Sequence, residues 1–258
     1  MTSSLLKCPH AFTTRIGGVS KNIFSSLNLG QNLGDDPVCV VENYSIICNV
    51  LGIIPDDLIR SKQVHGTHIR TVTERDRFKI YSPDTPVADG MITNSKNIAL
   101  IIYTADCVPI LLYDPSKNVI GAVHAGWRGT VANIAGEAIK KLSSEFGCSP
   151  ENIKAAIGPC ISNCCFETTK EVPDALHAKI GKSAEKCIKQ QDSLEQQGDK
   201  YLIDLKEANK QMLINSNVKD IDISDDCTSC MTDKYWSHRK QNTQRGSQAS
   251  IIYIKDIK

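Results

Sequence analysis

The chain has 258 residues, of which 41% are hydrophobic and 23% are charged, the composition of an ordinary globular protein. It carries 30 basic and 29 acidic residues, a formal net charge of +1, so no field of the whole molecule would draw it to nucleic acid or to a membrane surface. Its longest apolar run, at 98–105, is far too short to span a bilayer, and its first residues lack the apolar core of a secretory signal peptide, so we expect a cytoplasmic protein.

The first third of the chain predicts one helix and a pair of short strands. Asp36 and Pro37 are typical of a helix start, because a carboxylate can cap the helix and proline suits its first turn. Apolar residues then recur at helical spacing as far as Leu51. Residues 59–72 mix apolar and polar positions, which indicates a strand pair or one strand that bends at Gly66.

The middle of the chain is predicted to form the core. Three runs at 97–105, 108–114 and 119–125 are rich in β-branched residues and too continuously apolar to have one wet face, so they predict buried strands. The period then changes, and 130–146 carry an apolar stripe at helical spacing. Gly147 directly after this stripe is typical of a helix end.

The last third predicts further strands and helices. Strands are expected at 153–159, 219–224 and 248–254, and helices at 173–180 and 204–215. Residues 182–200 have few large apolar side chains and are interpreted as an exposed excursion within one domain. The mixture indicates one buried sheet, or two packed sheets, flanked by helices.

Polar residues that could carry chemistry stand at the ends of the predicted core strands. Cys107 interrupts one apolar run and His124 ends another, and strand ends on a rigid core are common places for functional sites. His65 is a third candidate, whereas His68 would point to the opposite face of an extended strand. A thiolate and two imidazoles suit zinc, and three protein ligands leave the fourth tetrahedral position open.

Two other chemistries use the same residues. Cys107 could be the nucleophile and His124 the base of a cysteine-type amidase, for example one that acts on cell-wall precursors. A copper-dependent polyphenol oxidase is a third alternative, although six scattered histidines are few for several coppers. A non-enzymatic binding module with a structural metal is a further alternative. Structural zinc sites usually have four protein ligands, and the sequence shows no fourth ligand beside these three.

The remaining cysteines have a simpler interpretation. Cys227 and Cys230 form a C-x-x-C pair, which could be redox-active or half of a zinc site. Cys160, Cys164 and Cys165 are crowded together earlier in the chain. Without a second C-x-x-C pair, the sequence favours ordinary reduced thiols in both places.

Several motifs together resemble one known family. "TTRIGGVS", "KQVHG", "ADGMITN", "TADCVPILLYDP", "GAVHAGWRGT" and "AIGPCI" occur in the order seen in the YfiH family, also called the multicopper polyphenol oxidase or laccase-domain family. The resemblance runs over 13–253. It implies a single domain over 1–258 with a mixed α+β fold, a four-layer α/β/β/α sandwich. It also implies a catalytic zinc bound by His65, Cys107 and His124, with copper as the alternative metal.

The same resemblance implies an activity. Members of the family phosphorolyse adenosine, inosine, guanosine and S-methyl-5'-thioadenosine, and they deaminate adenosine to inosine. The expected partners are therefore purine nucleosides and phosphate, with no nucleic acid or membrane, in a monomer or homodimer. In deamination, zinc would lower the pKa of a bound water toward about 7.

Charged residues are assigned to the two reactions as expectations. Asp89 and Glu167 are the candidates for a proton relay. Phosphate needs cations, and the candidates are Arg15, Lys62, Arg128 and Arg239. The sequence departs from the family near its C-terminus. The family often has a Gly-Arg pair there, whereas here Gly246 is followed by Ser247 and preceded by Arg245, and Arg239 is followed by a lysine where the family commonly has a second arginine.

Overall fold

A computed structural model describes residues 1–77, 79–191 and 200–254 of the chain. In this part of the chain, six α-helices and thirteen strands are present. The helices are α1 (Pro37–Leu51), α2 (Trp127–Val131), α3 (Ile134–Phe146), α4 (Glu171–Ile180), α5 (Leu205–Asn215) and α6 (His238–Gln241). The strands are β1 (His10–Phe12), β2 (Leu58–Ile59), β3 (Ile69–Thr71), β4 (Gly90–Thr93), β5 (Ala99–Thr104), β6 (Val108–Asp114), β7 (Val119–Ala125), β8 (Lys154–Ile157), β9 (Glu167–Thr168), β10 (Ile188–Gln191), β11 (Lys200–Ile203), β12 (Asp220–Ile223) and β13 (Gln248–Tyr253).

The described strands form three sheets. The largest has six strands in the order β12-β8-β6-β7-β4-β3, with antiparallel pairs at its centre and a parallel pair at each edge. The second has four strands in the order β1-β13-β5-β2. The third is a small antiparallel sheet in the order β10-β11-β9.

Side chains from the two larger sheets meet in a buried layer between them. Leu111 of β6 and Ala122 of β7 belong to the same apolar cluster as Leu100 of β5 and Ile252 of β13. Because successive side chains of a strand point to opposite faces, the neighbours of these residues face away from this layer. Each large sheet is therefore apolar on both faces and must be covered on its outer side.

Helices cover these outer faces. Ile139 of α3 and Met212 of α5 share a core with Leu112 on the six-stranded sheet. On the four-stranded sheet, Tyr44 of α1 packs in a cluster with Ile251. The layers therefore run helix, sheet, sheet, helices, and the predicted mixed α+β fold in four layers is confirmed. A single domain over 1–258 stays a prediction.

Most of the predicted elements are present. The three core runs form β5, β6 and β7, and the later predictions correspond to β8, α4, α5, β12 and β13. α1 begins as expected, because the Asp36 carboxylate accepts a hydrogen bond from the Val38 N–H at 2.9 Å and Pro37 occupies the first turn. It ends at Leu51, and the next residue, Gly52, adopts the left-handed conformation with φ 69°. Among the described residues, no helix is long and apolar enough to cross a membrane.

The single helix predicted over 130–146 is wrong. The helical segment begins earlier, at Trp127, and it is divided into α2 and α3. The division falls at Asn133, which has φ 68° and caps α3 by accepting a hydrogen bond from the Gly136 N–H at 3.2 Å. Asparagine tolerates this conformation because its short polar side chain can bond locally.

The strand pair predicted over 59–72 is also wrong. Leu58–Ile59 and Ile69–Thr71 form short strands that belong to different sheets, and Lys62 forms an isolated bridge with Val87. The loop between them donates backbone hydrogen bonds to the buried carboxylate of Asp89, and the Gln63 side chain bonds to the backbone of Tyr103 on β5.

The prediction of an exposed excursion over 182–200 is wrong for the part of this segment that the structure describes. A 3-10 helix over Gly181–Lys186 is followed by the antiparallel pair of β10 and β11. Ala184 and Cys187 are buried in the core below α5, which explains why the segment is folded despite its polar composition. Residues 192–199 lie outside the described residues.

Candidate metal centre and its cavity

Three elements bring the predicted site residues together. Cys107 directly precedes β6, and His124 lies near the end of β7. In the antiparallel register, Val108 stands opposite Ala125 and Pro109 opposite His124, so the thiol and this imidazole lie at the same edge of the sheet. His65 comes from the loop between β2 and β3, where it adopts the left-handed conformation with φ 61°.

The three side chains converge on one point. One ligand atom from each of His65, Cys107 and His124 lies within 4.8 Å of the other two. The two imidazole rings meet edge to face, with their centroids 4.9 Å apart. This arrangement could hold one metal ion, and two nitrogens with one sulfur form a donor set that suits zinc with one open position.

Asp89 positions both histidines, through the backbone of His65 and the imidazole of His124. Its carboxylate is fully buried and accepts hydrogen bonds from the N–H groups of His65 at 2.9 Å and Gly66 at 2.7 Å. The same carboxylate lies 2.9 Å from Nδ1 of His124, which leaves Nε2 of that ring for a ligand. A carboxylate behind a ligating histidine fixes the tautomer and the orientation of the ring.

The ionisation of the centre follows from these contacts. Burial raises the pKa of the Cys107 thiol, but the His124 and His65 imidazoles outweigh burial and lower this pKa to about 6. Burial lowers the pKa of His124, but Cys107 and Asp89 outweigh it and raise this pKa to about 9. Without a metal, the pair is therefore a thiolate beside an imidazolium at neutral pH, the state that a cysteine nucleophile also requires.

Because Gly126 has no side chain, His65 and Cys107 can approach each other beside it. A Cβ at this position would lie 2.7 Å from Cδ2 of His65 and 3.3 Å from Sγ of Cys107. Because real Cβ atoms essentially never approach another heavy atom within 3.0 Å, any larger residue would displace His65. Gly126, two residues after His124, is thus part of the site.

The centre opens into a cavity of about 780 Å³. Aromatic walls come from Tyr103, Trp127 and Phe166. The cavity also has five cationic side chains in its lining: Arg60, Lys62, Arg128, Arg239 and Arg245. Large aromatic surfaces and several cations in one cavity suit a ligand that combines a flat ring with an anion.

Three of the predicted charged residues do not line this cavity: Asp89 is buried behind the centre, and Arg15 and Glu167 have other partners. The guanidinium of Arg15 donates hydrogen bonds to the carbonyls of Ser25 and Thr232 and lies 3.8 Å from the centre of the Trp236 ring. Glu167, on β9, forms an ion pair with Lys200 at 3.1 Å. Neither residue lines the cavity.

Sequence reasoning missed Arg60, which stands directly after β2. Its side chain is only 3% exposed, yet none of its three guanidinium nitrogens has a hydrogen-bond partner among the described residues. An arginine that ends an apolar strand is the one signal in the sequence that could have drawn attention to it.

Asp106 was also missed. Its buried carboxylate accepts hydrogen bonds from the Thr228 hydroxyl at 2.6 Å, the Ser237 hydroxyl at 3.0 Å and the Arg239 N–H at 2.6 Å. It has φ 88°, a conformation that turns the chain between β5 and Cys107. No local pattern announces this role, because its partners are more than one hundred residues away in the chain.

Known proteins resemble this chain over nearly its whole length. The family model described as multi-copper polyphenol oxidoreductase laccase matches residues 9–255. A Bacillus subtilis protein named purine nucleoside phosphorylase YlmD is 36% identical over 250 residues, which cover 95% of this chain and 88% of that protein. A Shigella flexneri protein named purine nucleoside phosphorylase YfiH is 35% identical, with 94% of this chain and 92% of that protein covered. The crystal structure of the hypothetical protein YfiH from Bacillus licheniformis superposes with a TM-score of 0.89 at 32% identity, covering 95% of this chain and 92% of that one.

Proposed function

Because the chain belongs to the multi-copper polyphenol oxidoreductase laccase family, the YfiH family, we propose that it is a zinc-dependent purine nucleoside phosphorylase. One observation carries this proposal. The cavity that contains the His65, Cys107 and His124 centre also contains Arg60, a buried guanidinium without a hydrogen-bond partner among the described residues. Burying an unpaired charge is costly, so such a guanidinium is typical of a site that an anion completes.

Phosphate is the anion that this activity requires. In phosphorolysis, a phosphate oxygen forms a bond to the anomeric carbon of the ribose while the glycosidic bond breaks and the purine leaves with the electron pair. Arginine binds phosphate with two parallel N–H donors, and Arg60 has all its donors available. Lys62, Arg128 and Arg239 line the same cavity and would add positive charge around the anion.

The aromatic walls suit the purine and the ribose. Trp127, Tyr103 and Phe166 present flat apolar surfaces to the cavity, and its volume of about 780 Å³ lies within the usual range for small-molecule pockets. The substrates we propose are adenosine, inosine, guanosine and S-methyl-5'-thioadenosine.

The donor set of the centre fits zinc. When bound, zinc would act as a Lewis acid that polarises a substrate oxygen or acidifies water. His65, Cys107 and His124 would hold it, and Asp89 would keep His124 in the tautomer that offers Nε2. For the deamination of adenosine, we prefer Asp89 to Glu167 as the proton relay, because only Asp89 contacts a residue of the centre.

A cysteine-type amidase is the second candidate. The observation in its favour is the lowered pKa of Cys107, about 6, beside the His124 imidazole. Such a pair would act without a metal, by attack of the thiolate on an amide carbonyl. Metal content and the effect of chelators distinguish it from the zinc enzyme, and elemental analysis also distinguishes zinc from copper.

The proposal is tested with zinc-loaded protein, inosine, and phosphate present or absent. We expect hypoxanthine and ribose 1-phosphate to form only when phosphate is present, and chromatography would measure both products. Adenosine without phosphate should yield inosine. If no purine nucleoside is phosphorolysed when phosphate is present and adenosine is not deaminated without it, the proposed activity is wrong.

A further inference from the structure

Four thiols outside the metal centre converge at a second point. Cys164 and Cys165 lie in the segment between β8 and β9, and Cys227 and Cys230 form the C-x-x-C pair after β12. These four residues, here named the four-cysteine cluster, have all their sulfur atoms within 4.8 Å of one another. The pairs are up to 66 residues apart in the chain, so the fold alone brings them together.

The spacing of the sulfur atoms matches one tetrahedral ion. A zinc–sulfur bond of about 2.3 Å implies sulfur atoms about 3.8 Å apart at the corners of a tetrahedron. In the four-cysteine cluster, Sγ of Cys164 lies 3.8 Å from that of Cys165 and 3.5 Å from that of Cys230. Sγ of Cys165 lies 3.4 Å from that of Cys230. We propose that the four-cysteine cluster binds a zinc ion as a tetrathiolate, separate from the metal centre in the cavity.

Backbone donors are arranged for a charged sulfur. The Ser162 N–H points at Sγ of Cys227 at 3.3 Å, and the N–H groups of Ser229 and Cys230 also donate to this sulfur. Donors around a ligand orient it and balance the negative charge that a bound thiolate carries. Zinc binding would release the thiol protons to solvent, so the site needs no oxidant or other reactant.

The alternatives to a single zinc ion fit less well. A disulfide would use two sulfurs and would leave two thiols facing it, and all eleven cysteines of the chain are free thiols in the structure. An iron–sulfur cluster distributes its cysteines over several iron atoms, which does not suit four sulfurs that surround one point. Four protein ligands with no open position are typical of a structural zinc.

The proposed ion would fasten two segments that border the cavity. The Thr228 N–H donates to the Cys160 carbonyl at 3.0 Å, which pairs the segments next to the cluster. One residue after Cys165, Phe166 forms part of the cavity wall. Arg239, which also lines the cavity, donates to the Cys165 carbonyl at 2.9 Å. The ion would therefore stabilise one wall of the cavity without contacting a ligand in it.

Zinc counting by elemental analysis tests the proposal. We expect about two zinc ions per chain in the wild type, and about one in Cys230→Ser and in Cys164→Ser. Both cysteines are exposed, so the serine variants should fold, which circular dichroism would verify. Cys39→Ser is the control, since this cysteine lies on α1 and belongs neither to the cavity lining nor to the four-cysteine cluster, and it should keep the wild-type zinc content.

A second measurement does not depend on the serine variants. In Cys107→Ala, the zinc that remains should show only sulfur ligands in its X-ray absorption spectrum. The result separates this proposal from the proposed function, because a protein without metal in the cavity would still lose its zinc in Cys230→Ser. An unchanged zinc content in Cys230→Ser, a disulfide found within the cluster by peptide mapping, or nitrogen ligands on the zinc in Cys107→Ala would overturn it.

Discussion

A methyl group at Gly126 would collide with His65, one of the proposed ligands of the candidate metal centre. Its Cβ would lie 2.7 Å from Cδ2 of His65, while the backbone itself, with φ −67°, accepts alanine without strain. We therefore predict that Gly126→Ala folds normally but binds zinc in the cavity at least about tenfold more weakly, as other changes around ligating residues do. Competition with a chromophoric chelator would measure the affinity.

Gly66→Ala is the matched control for this prediction. Gly66 follows His65 directly and its N–H donates to Asp89, but a Cβ there would lie 3.4 Å from Oδ2 of this carboxylate, an ordinary van der Waals contact that leaves the backbone hydrogen bond in place. This variant should keep the zinc affinity of the wild type. Equal affinities in Gly126→Ala and Gly66→Ala would show that the close approach at Gly126 does not shape the site.

Replacing Arg60 should change phosphate binding without lowering the stability of the protein. If its guanidinium binds phosphate, Arg60→Met should raise the KM for phosphate by about tenfold or more, the effect of losing a hydrogen bond to a charged group. The KM for the nucleoside should change much less. Because the methionine removes a buried charge without a partner, the thermal stability of the phosphate-free protein should not fall.

Steady-state kinetics with each substrate varied in turn would measure both constants. Arg75→Gln is a suitable control, because Arg75 is exposed and does not line the cavity. An unchanged KM for phosphate in Arg60→Met would assign the anion to the other cations of the cavity.

At the scale of elements, the turn between β6 and β7 carries a pH-dependent contribution to stability. Oδ1 of Asp114 accepts hydrogen bonds from the Ser116 N–H at 2.8 Å, the Ser116 hydroxyl at 2.6 Å and the Lys117 N–H at 3.2 Å. Burial raises the pKa of Asp114, but these hydrogen bonds, together with one from Cys148, outweigh it and lower the pKa. A lowered pKa in the folded state means that the carboxylate stabilises the fold above its unfolded pKa, about 3.9.

We predict that this contribution is lost as the pH falls through the lowered pKa of Asp114. The melting temperature of the wild type should therefore decrease more steeply below about pH 4 than that of Asp114→Asn, whose amide does not titrate. Ser116→Ala, which removes one of the donors, should shift the loss toward higher pH. Parallel slopes in the wild type and Asp114→Asn would contradict the assignment.

At the scale of the whole molecule, metal removal decides between the two candidate functions. A zinc enzyme should lose its nucleoside turnover to a chelator and regain it when zinc is added back. Alkylation of Cys107 should be slow in the zinc-bound protein and faster after chelation, because a bound thiolate is not free to react. Peptide mapping must resolve Cys107, since ten other cysteines are present.

The opposite result would favour the amidase. Activity that survives complete metal removal but disappears when Cys107 is alkylated would assign this residue as the nucleophile.

The reversible loss of the second zinc ion from the four-cysteine cluster should lower the melting temperature in the same experiment, because a ligand that binds only the folded state stabilises it.

The sequence by itself determined the core strands, the start of α1 and the three residues of the candidate metal centre. Continuous apolar runs predicted β5, β6 and β7 because a strand that is buried on both faces leaves no room for polar residues. Asp36 predicted the start of α1 because capping is a local interaction. His65, Cys107 and His124 were predictable because the motifs that surround them are those of the YfiH family.

Only the tertiary structure decided what surrounds that centre. Contacts between distant segments depend on strand register and loop paths, which no local pattern encodes. For this reason the sequence missed Arg60 and Asp106, and it placed Arg15 among the phosphate candidates although its guanidinium bonds to backbone carbonyls outside the cavity. The four-cysteine cluster has the same physical origin, because its two cysteine pairs look like ordinary thiols until the segments after β8 and β12 lie side by side.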